Sequence, residues 1–161
     1  MNAAERVFVG LGANLGDAAD TLAQARAALA ALPSTEVMAF SSLYRSAPVD
    51  AHGPDFTNAV AELRTALEPL PLLDALQAIE QAHGRQRPFH HAPRTLDLDL
   101  LMYGQRPLQT PRLTLPHPRA HLRAFVLQPW AELAPTLVLA GHGDIASLAA
   151  QVTDQPIQKL P

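Results

Sequence analysis

Asp97 and Asp99 stand two residues apart in an otherwise apolar run, RTLDLDLL, at residues 94–101. Side chains alternate faces along a strand, so both carboxylates share one face and Leu96, Leu98 and Leu100 the other. Two strand rises set the acids about 7 Å apart, and like charges at that range call for a cation between them. Aspartate is disfavoured in strands, which makes two in alternation a costly choice. Arg94 immediately precedes the pair, and Arg85 and Arg87 lie just upstream. Carboxylates that hold hard divalent cations, beside arginines that hold phosphate oxygens, are recurring parts of phosphoryl-transfer sites. Metal–phosphate chemistry is therefore the favoured reading. A structural network of Arg–Asp ion pairs, or a solvated strand face, remains open on the residues alone.

Other chemistry finds less support. Residues 10–16, GLGANLG, miss a dinucleotide fingerprint because Leu15 stands where the third glycine belongs. A tight strand-to-helix turn is the expectation there. No Walker A loop exists, since the only lysine is Lys159 in the C-terminal tail. His90 and His91 are adjacent and would face apart on a strand. His117 and His121 have i,i+4 spacing but no HExxH glutamate, so phosphate-side or surface histidines are expected rather than zinc ligands. Ser41 and Ser42 lack a nucleophile-elbow context, and with no cysteine in the chain thiolate chemistry is excluded.

The elements that must position the acids follow from periodicity. RVFVGLG (6–12) reads as a strand running into a glycine turn, DAADTLAQARAALAAL (17–32) as a helix stopped by Pro33, and 35–46 as one extended stretch. FTNAVAELRTAL (56–67) reads as a strand, LPLLDALQAIEQAHG (70–84) as an amphipathic helix ending at Gly84, and TLDLDLLMYG (95–104) as a strand. The order β-α-β-β-α-β predicts an α+β, ferredoxin-like antiparallel sheet core, with C-terminal helices at AFVLQPWAELA and DIASLAAQV and short strands besides. The 161 residues, 48% hydrophobic and 17% charged, suit one domain over 1–161. A net charge of −3 argues against a nucleic-acid partner. No run approaches the roughly 20 apolar residues of a membrane span, and no signal peptide is visible, so a cytoplasmic protein is expected.

RPFHHAPRTLDLDLLMYG resembles the signature of the 6-hydroxymethyl-7,8-dihydropterin pyrophosphokinases of folate biosynthesis. The likeness extends to GLGANLGD, SSLYRSAPV, DFTNAV, LQAIEQAHGRQR and LTLPHPRAHLRAFVL, in the right order and spacing. It implies transfer of the β,γ-pyrophosphate of ATP to the pterin hydroxymethyl oxygen, leaving AMP. Asp97 and Asp99 would bind two Mg²⁺ ions that come with ATP. Arg85, Arg87, Arg94, His117 and Arg123 would grip phosphate, with Arg85 and Arg94 stabilising charge as the bridging bond breaks. Leu73, Gln77, Glu80, Leu100, Arg112 and Thr114 match positions at the nucleotide. Phe56 and Phe125 match an aromatic pair that sandwiches the pterin, Asn58 the amide that reads its edge, and Ser46 and Val49 positions offering main-chain groups. The family's usual residues are replaced at His90–His91, Pro118 and Ala13. The resemblance further implies that loops 47–55 and 85–93 close over the substrates, and that the enzyme is a monomer. Its alternatives are a related phosphotransferase with another small acceptor, and a pterin- or nucleotide-binding module without turnover.

Overall fold

A computed structural model describes residues 4–14, 17–47, 54–83 and 96–161. The elements are β1 (Glu5–Ala13), α1 (Ala18–Ala30), β2 (Thr35–Phe40), β3 (Tyr44–Ser46), β4 (Phe56–Thr65), α2 (Pro69–Ala82) and β5 (Asp97–Tyr103). After them come β6 (Leu108–Gln109), β7 (Thr114–Leu115), a 3-10 turn (Ala120–Leu122), α3 (Ala124–Leu133), β8 (Val138–Leu139), β9 (Gly143–Asp144), α4 (Ile145–Ala150) and β10 (Ile157–Lys159). The main sheet is ordered β10-β3-β4-β1-β5, with β2 also pairing β4, and its pairs are antiparallel. This is the expected ferredoxin-like α+β arrangement, with β2 and β3 together filling the place of one strand.

Strand alternation divides the sheet into two faces. Val7, Val9, Leu11 and Ala13 of β1 join Ala59, Ala61 and Leu63 of β4 and Leu98 and Leu100 of β5 in one core. That core is covered by α1 through Leu22, Ala25 and Leu29, and by α2 through Leu72, Leu76 and Ile79. Each fully buried leucine contributes about 1.5–3 kcal/mol. Asp17 caps α1 by accepting the Asp20 N–H at 3.0 Å. On the opposite face Phe8, Val60, Leu101 and Met102 pack under α3 and α4, around Trp130 and Leu127. Leu101 and Met102 both reach this second core because β5 is irregular opposite the Phe8–Val9 step.

Two sequence expectations are corrected. Gly10 and Gly12 do not form a turn: both lie inside β1, which runs on to Ala13, paired with β4 on one side and β5 on the other. Their reason for being glycine is therefore what lies across the sheet. The 35–46 stretch is broken at Ser41–Leu43, so Ser41 and Ser42 stand outside the strands. Ser41 keeps the ladder satisfied there, donating its N–H to Val60 O (3.0 Å) and accepting the Val60 N–H on Oγ (2.9 Å).

Glu132 of α3 fixes the break from below. Its carboxylate accepts the Ser42 N–H at 3.0 Å, the Ser42 hydroxyl at 3.2 Å and the Tyr44 hydroxyl at 2.8 Å. Burial alone would raise its pKa, but those hydrogen bonds and Lys159 hold it below the ordinary carboxylate range. Burial and the same carboxylate push the Tyr44 phenol upward. A carboxyl with a depressed folded pKa contributes stability above its unfolded pKa and loses it as pH falls through the folded one. Glu132→Ala is thus expected to cost about 1–3 kcal/mol in urea unfolding at pH 7, with the difference from wild type shrinking as acid protonates Glu132.

Candidate functional site

The acids lie on the α3 face of the sheet. Registers β3–β4, β4–β1 and β1–β5 align Tyr44, Asn58, Gly12 and Asp97 in one row across the sheet, with Val60, Gly10 and Asp99 in the next. Asp97 and Asp99 are half-buried and do share a face, as their alternation requires. Gly10 and Gly12 opposite them contribute no side chains, and Leu101 lies over Gly10, 3.5 Å from where a Cβ would stand. A Cβ placed on Gly12 would lie 3.2 Å from Asn58 Nδ2 and 3.7 Å from Phe56 Cδ1. Bare backbone here is what lets Asn58 and Phe56 lean over β1.

Ser46 completes this wall. Its hydroxyl donates to Asn58 Oδ1 at 2.6 Å, which turns the amide nitrogen toward Gly12. Phe56 is half-buried on β4. Phe125, in the first turn of α3, is packed against the core on the same face, with the Arg123 guanidinium 5.4 Å from its ring centre. The aromatic pair and the amide named from the sequence therefore lie on one side of the sheet, with the two aspartates.

At the β5 border a cavity of about 340 Å³ opens between α2 and the 110–118 segment, within the range of small-molecule sites. Leu73, Gln77 and Glu80 come from α2, Leu98, Asp99 and Leu100 from β5, and Arg112, Thr114, His117 and Pro118 from the segment opposite. Seven residues assigned to the nucleotide by sequence are thus in one lining, and Asp99 is common to this cavity and the glycine floor. Leu98, Thr110, Pro111 and Leu113 line it as well; three are apolar, and the Thr110 hydroxyl is engaged with the Leu113 main chain. Arg112 closes toward α2, donating to Asp74 Oδ1 (2.6 Å) and Gln77 Oε1 (3.3 Å).

Glu80 has a second duty. It is only 6% exposed, and its Oε2 accepts the Leu98 N–H at 2.8 Å. That hydrogen bond shows which way the Leu98 main chain points, and two residues on Leu100 aims its own N–H and C=O to the same side, along the cavity. His117 is tied to β5 by its N–H to Leu101 O (2.9 Å), and its Nδ1 accepts the Arg119 N–H at 3.2 Å. With Nδ1 accepting, the neutral ring carries its proton on Nε2. Burial lowers the His117 pKa, Asp99 opposes this, and Arg123 and Arg119 lower it further. His117 therefore stands within electrostatic reach of both Asp99 and Arg123. His121 instead stacks on His142, with ring centres 3.7 Å apart.

Arg85, Arg87, Arg94, Val49, His90 and His91 lie outside the described residues, as do Gly84 and most of the loops expected to close. Among the described residues no three His, Cys, Asp or Glu side chains gather at one point. Two carboxylates on an open floor still suit Mg²⁺, which takes one or two protein carboxylates and completes its shell with water and phosphate oxygens.

The chain is similar to known proteins along nearly its whole length. The sequence model of the 7,8-dihydro-6-hydroxymethylpterin-pyrophosphokinase (HPPK) family matches residues 8–135. A 2-amino-4-hydroxy-6-hydroxymethyldihydropteridine pyrophosphokinase of Pseudomonas aeruginosa is 46% identical over 98% of this chain and 98% of its own. One from Haemophilus influenzae is 42% identical, over 95% and 96% respectively. A solved Plasmodium falciparum HPPK-DHPS chain, wild type with pteroate, aligns at a TM-score of 0.77, covering 96% of this chain and 43% of that one. At 12% identity that last likeness speaks for the fold. Matched in sequence from β1 to the end of α3, and in fold throughout, this chain belongs to the 7,8-dihydro-6-hydroxymethylpterin-pyrophosphokinase family.

Proposed function

We propose that the chain transfers the β,γ-pyrophosphate of ATP to the hydroxymethyl group of 6-hydroxymethyl-7,8-dihydropterin, a step of folate biosynthesis. The hydroxymethyl oxygen attacks the β-phosphorus, its proton is lost, and the bond from that phosphorus to the oxygen bridging the α-phosphate breaks. AMP leaves with that oxygen. The observation that carries this reading is the position of the aspartates. They stand between a nucleotide-sized cavity, which Asp99 lines, and the Phe56–Asn58 wall, whose row ends at Asp97.

The roles divide by chemistry. Leu73 and the Leu100 main chain offer an apolar, edge-on slot for a flat base, with Thr114, Gln77 and Arg112 beside it. Phe56 and Phe125 supply aromatic faces for the pterin, and Asn58, held by Ser46, supplies donors for its amide-like edge. Asp97 and Asp99 would hold two Mg²⁺ ions brought with ATP. Bound there, the ions would neutralise charge on the polyphosphate and ease loss of the hydroxyl proton. A neutral His117 donates from Nε2 to phosphate oxygens, and Arg123 adds fixed positive charge beside it. Arg85, Arg87 and Arg94 belong to the same grip in this reading.

A cytoplasmic monomer is part of the proposal. Among the described residues no helix is long and apolar enough to cross a membrane. Among the described residues the large exposed apolar side chains are Met38, Leu122 and Val138. The deciding experiment incubates purified protein with ATP, Mg²⁺ and 6-hydroxymethyl-7,8-dihydropterin and separates the nucleotides. AMP in step with pterin diphosphate is the expected product. ADP in its place points to another phosphotransferase, and unchanged ATP to a binding module.

A further inference from the structure

Gln155 lies beyond the segment matched to the family. Arg123 opens α3 with no side-chain cap of its own, although the first turn of a helix leaves unpaired N–H groups. Gln155, which precedes β10, takes over that task with its amide oxygen, while its amide nitrogen holds the residue before Arg123. Its Oε1 accepts the Ala124 N–H at 2.9 Å, and its Nε2 donates to Leu122 O at 2.8 Å. The two bonded residues flank Arg123 in sequence, and Phe125 follows directly after. The backbone that aims Arg123 is thus pinned on either side by one planar group.

The other end of the same segment holds the opposite wall. β10 pairs with β3, aligning Ile157 with Ser46 and Lys159 with Tyr44, and Leu160 N–H donates to Leu43 O at 2.8 Å. Ser46 is the residue whose hydroxyl orients Asn58. One short stretch of chain, 155–160, therefore connects the turn bearing Arg123 and Phe125 with the strand that fixes the amide.

We propose that Gln155 is a positioning residue for pyrophosphoryl transfer: its amide clamps the start of α3 and sets Arg123 and Phe125 against the Ser46–Asn58 wall. The inference rests on the reading above that Arg123 and Phe125 meet the substrates. Gln155→Met keeps length and removes both hydrogen bonds, whereas Gln155→Glu keeps only the acceptor. A misplacement near 1 Å is worth up to about 100-fold in rate, so Gln155→Met should lose roughly 10- to 100-fold in kcat/KM, with KM for the pterin raised. Gln155→Glu should fall between it and wild type. Exposed Gln151, changed to Met, should match wild type in rate and thermal midpoint.

Combination with Arg123→Ala separates positioning from stability. If Gln155 works by placing Arg123 and its turn, Gln155→Met costs much less once Arg123 is already alanine. Equal, multiplying losses together with a lowered melting temperature would overturn the proposal, as would wild-type kinetics in folded Gln155→Met. Should that variant not fold, Gln155→Glu in the two backgrounds decides by the same comparison. If Arg123→Ala and Phe125→Ala both turn over normally, the substrate-contact reading itself has failed, and the clamp proposal falls with its premise.

Discussion

Asp97→Ala and Asp99→Ala are each expected to lower turnover by at least about 10²–10³-fold, the usual cost of removing a group that stabilises transition-state charge. The loss should appear in kcat, since the lining of the nucleotide cavity from α2 and the 110–118 segment is untouched. Stability should scarcely change. Both acids are only half-buried, and the expected cost of each substitution is about 0.5 kcal/mol. For a chain of this length that corresponds to a melting shift of only about 2 °C. Raising Mg²⁺ should not restore Asp97→Ala or Asp99→Ala to wild type, because the missing group is a ligand and not a screening charge. Near-normal turnover in both variants at saturating ATP would defeat their assignment as metal ligands. A large drop in melting temperature would favour the structural ion-pair alternative instead.

The second large effect belongs to Gly12. Valine is a good strand residue, so Gly12→Val should keep β1 paired on both sides. Its side chain would nonetheless enter the space where even a Cβ stands 3.2 Å from Asn58 Nδ2. Asn58 must then retreat, straining its hydrogen bond from Ser46, and the methyls cover the floor that the pterin needs. The expected result is a loss of about 100-fold or more in kcat/KM for the pterin, with binding of a non-hydrolysable ATP analogue nearly unaffected. Gly12→Ala should fall in between, because a few tenths of an ångström relieve its contact. A titration in which Gly12→Val binds pterin as wild type does would show that the ring lies elsewhere. Loss of ATP-analogue binding as well would indicate disruption of the whole sheet end.

What the chain's letters disclose depends on how local each cause is. Alternation in LDLDL set two carboxylates on one face, and helical spacing of Leu72, Leu76 and Ile79 set the buried side of α2. Both are properties of neighbours in sequence. Gly10 and Gly12 read locally as a turn because glycine next to a helix usually means one, yet both lie inside β1. Their true partners, Asp99, Asp97 and Asn58, are reached only across two strand pairings. The break at Ser41–Leu43 depends on Glu132, ninety residues later, whose hydrogen bonds nothing local predicts. The resemblance assigns Gln77 and Glu80, one helical turn apart on α2, to the nucleotide, and both line the cavity. Spacing gives a face and not a target, so the bond from Leu98 N–H to Glu80 was out of reach. Gln155 is a further case, an ordinary polar letter in the tail whose two partners lie more than thirty residues away.

β5 is the last strand on its side of the sheet, and an open strand of that kind is a template on which another molecule can zip. Glu80 already occupies the Leu98 N–H along this border, and charges set into a border strand discourage such growth. Asp97 and Asp99, set into that border strand, would act in the same direction as Glu80. Alanine at Asp97 and Asp99 would remove that charge from the border, while the bond from Leu98 N–H to Glu80 would remain.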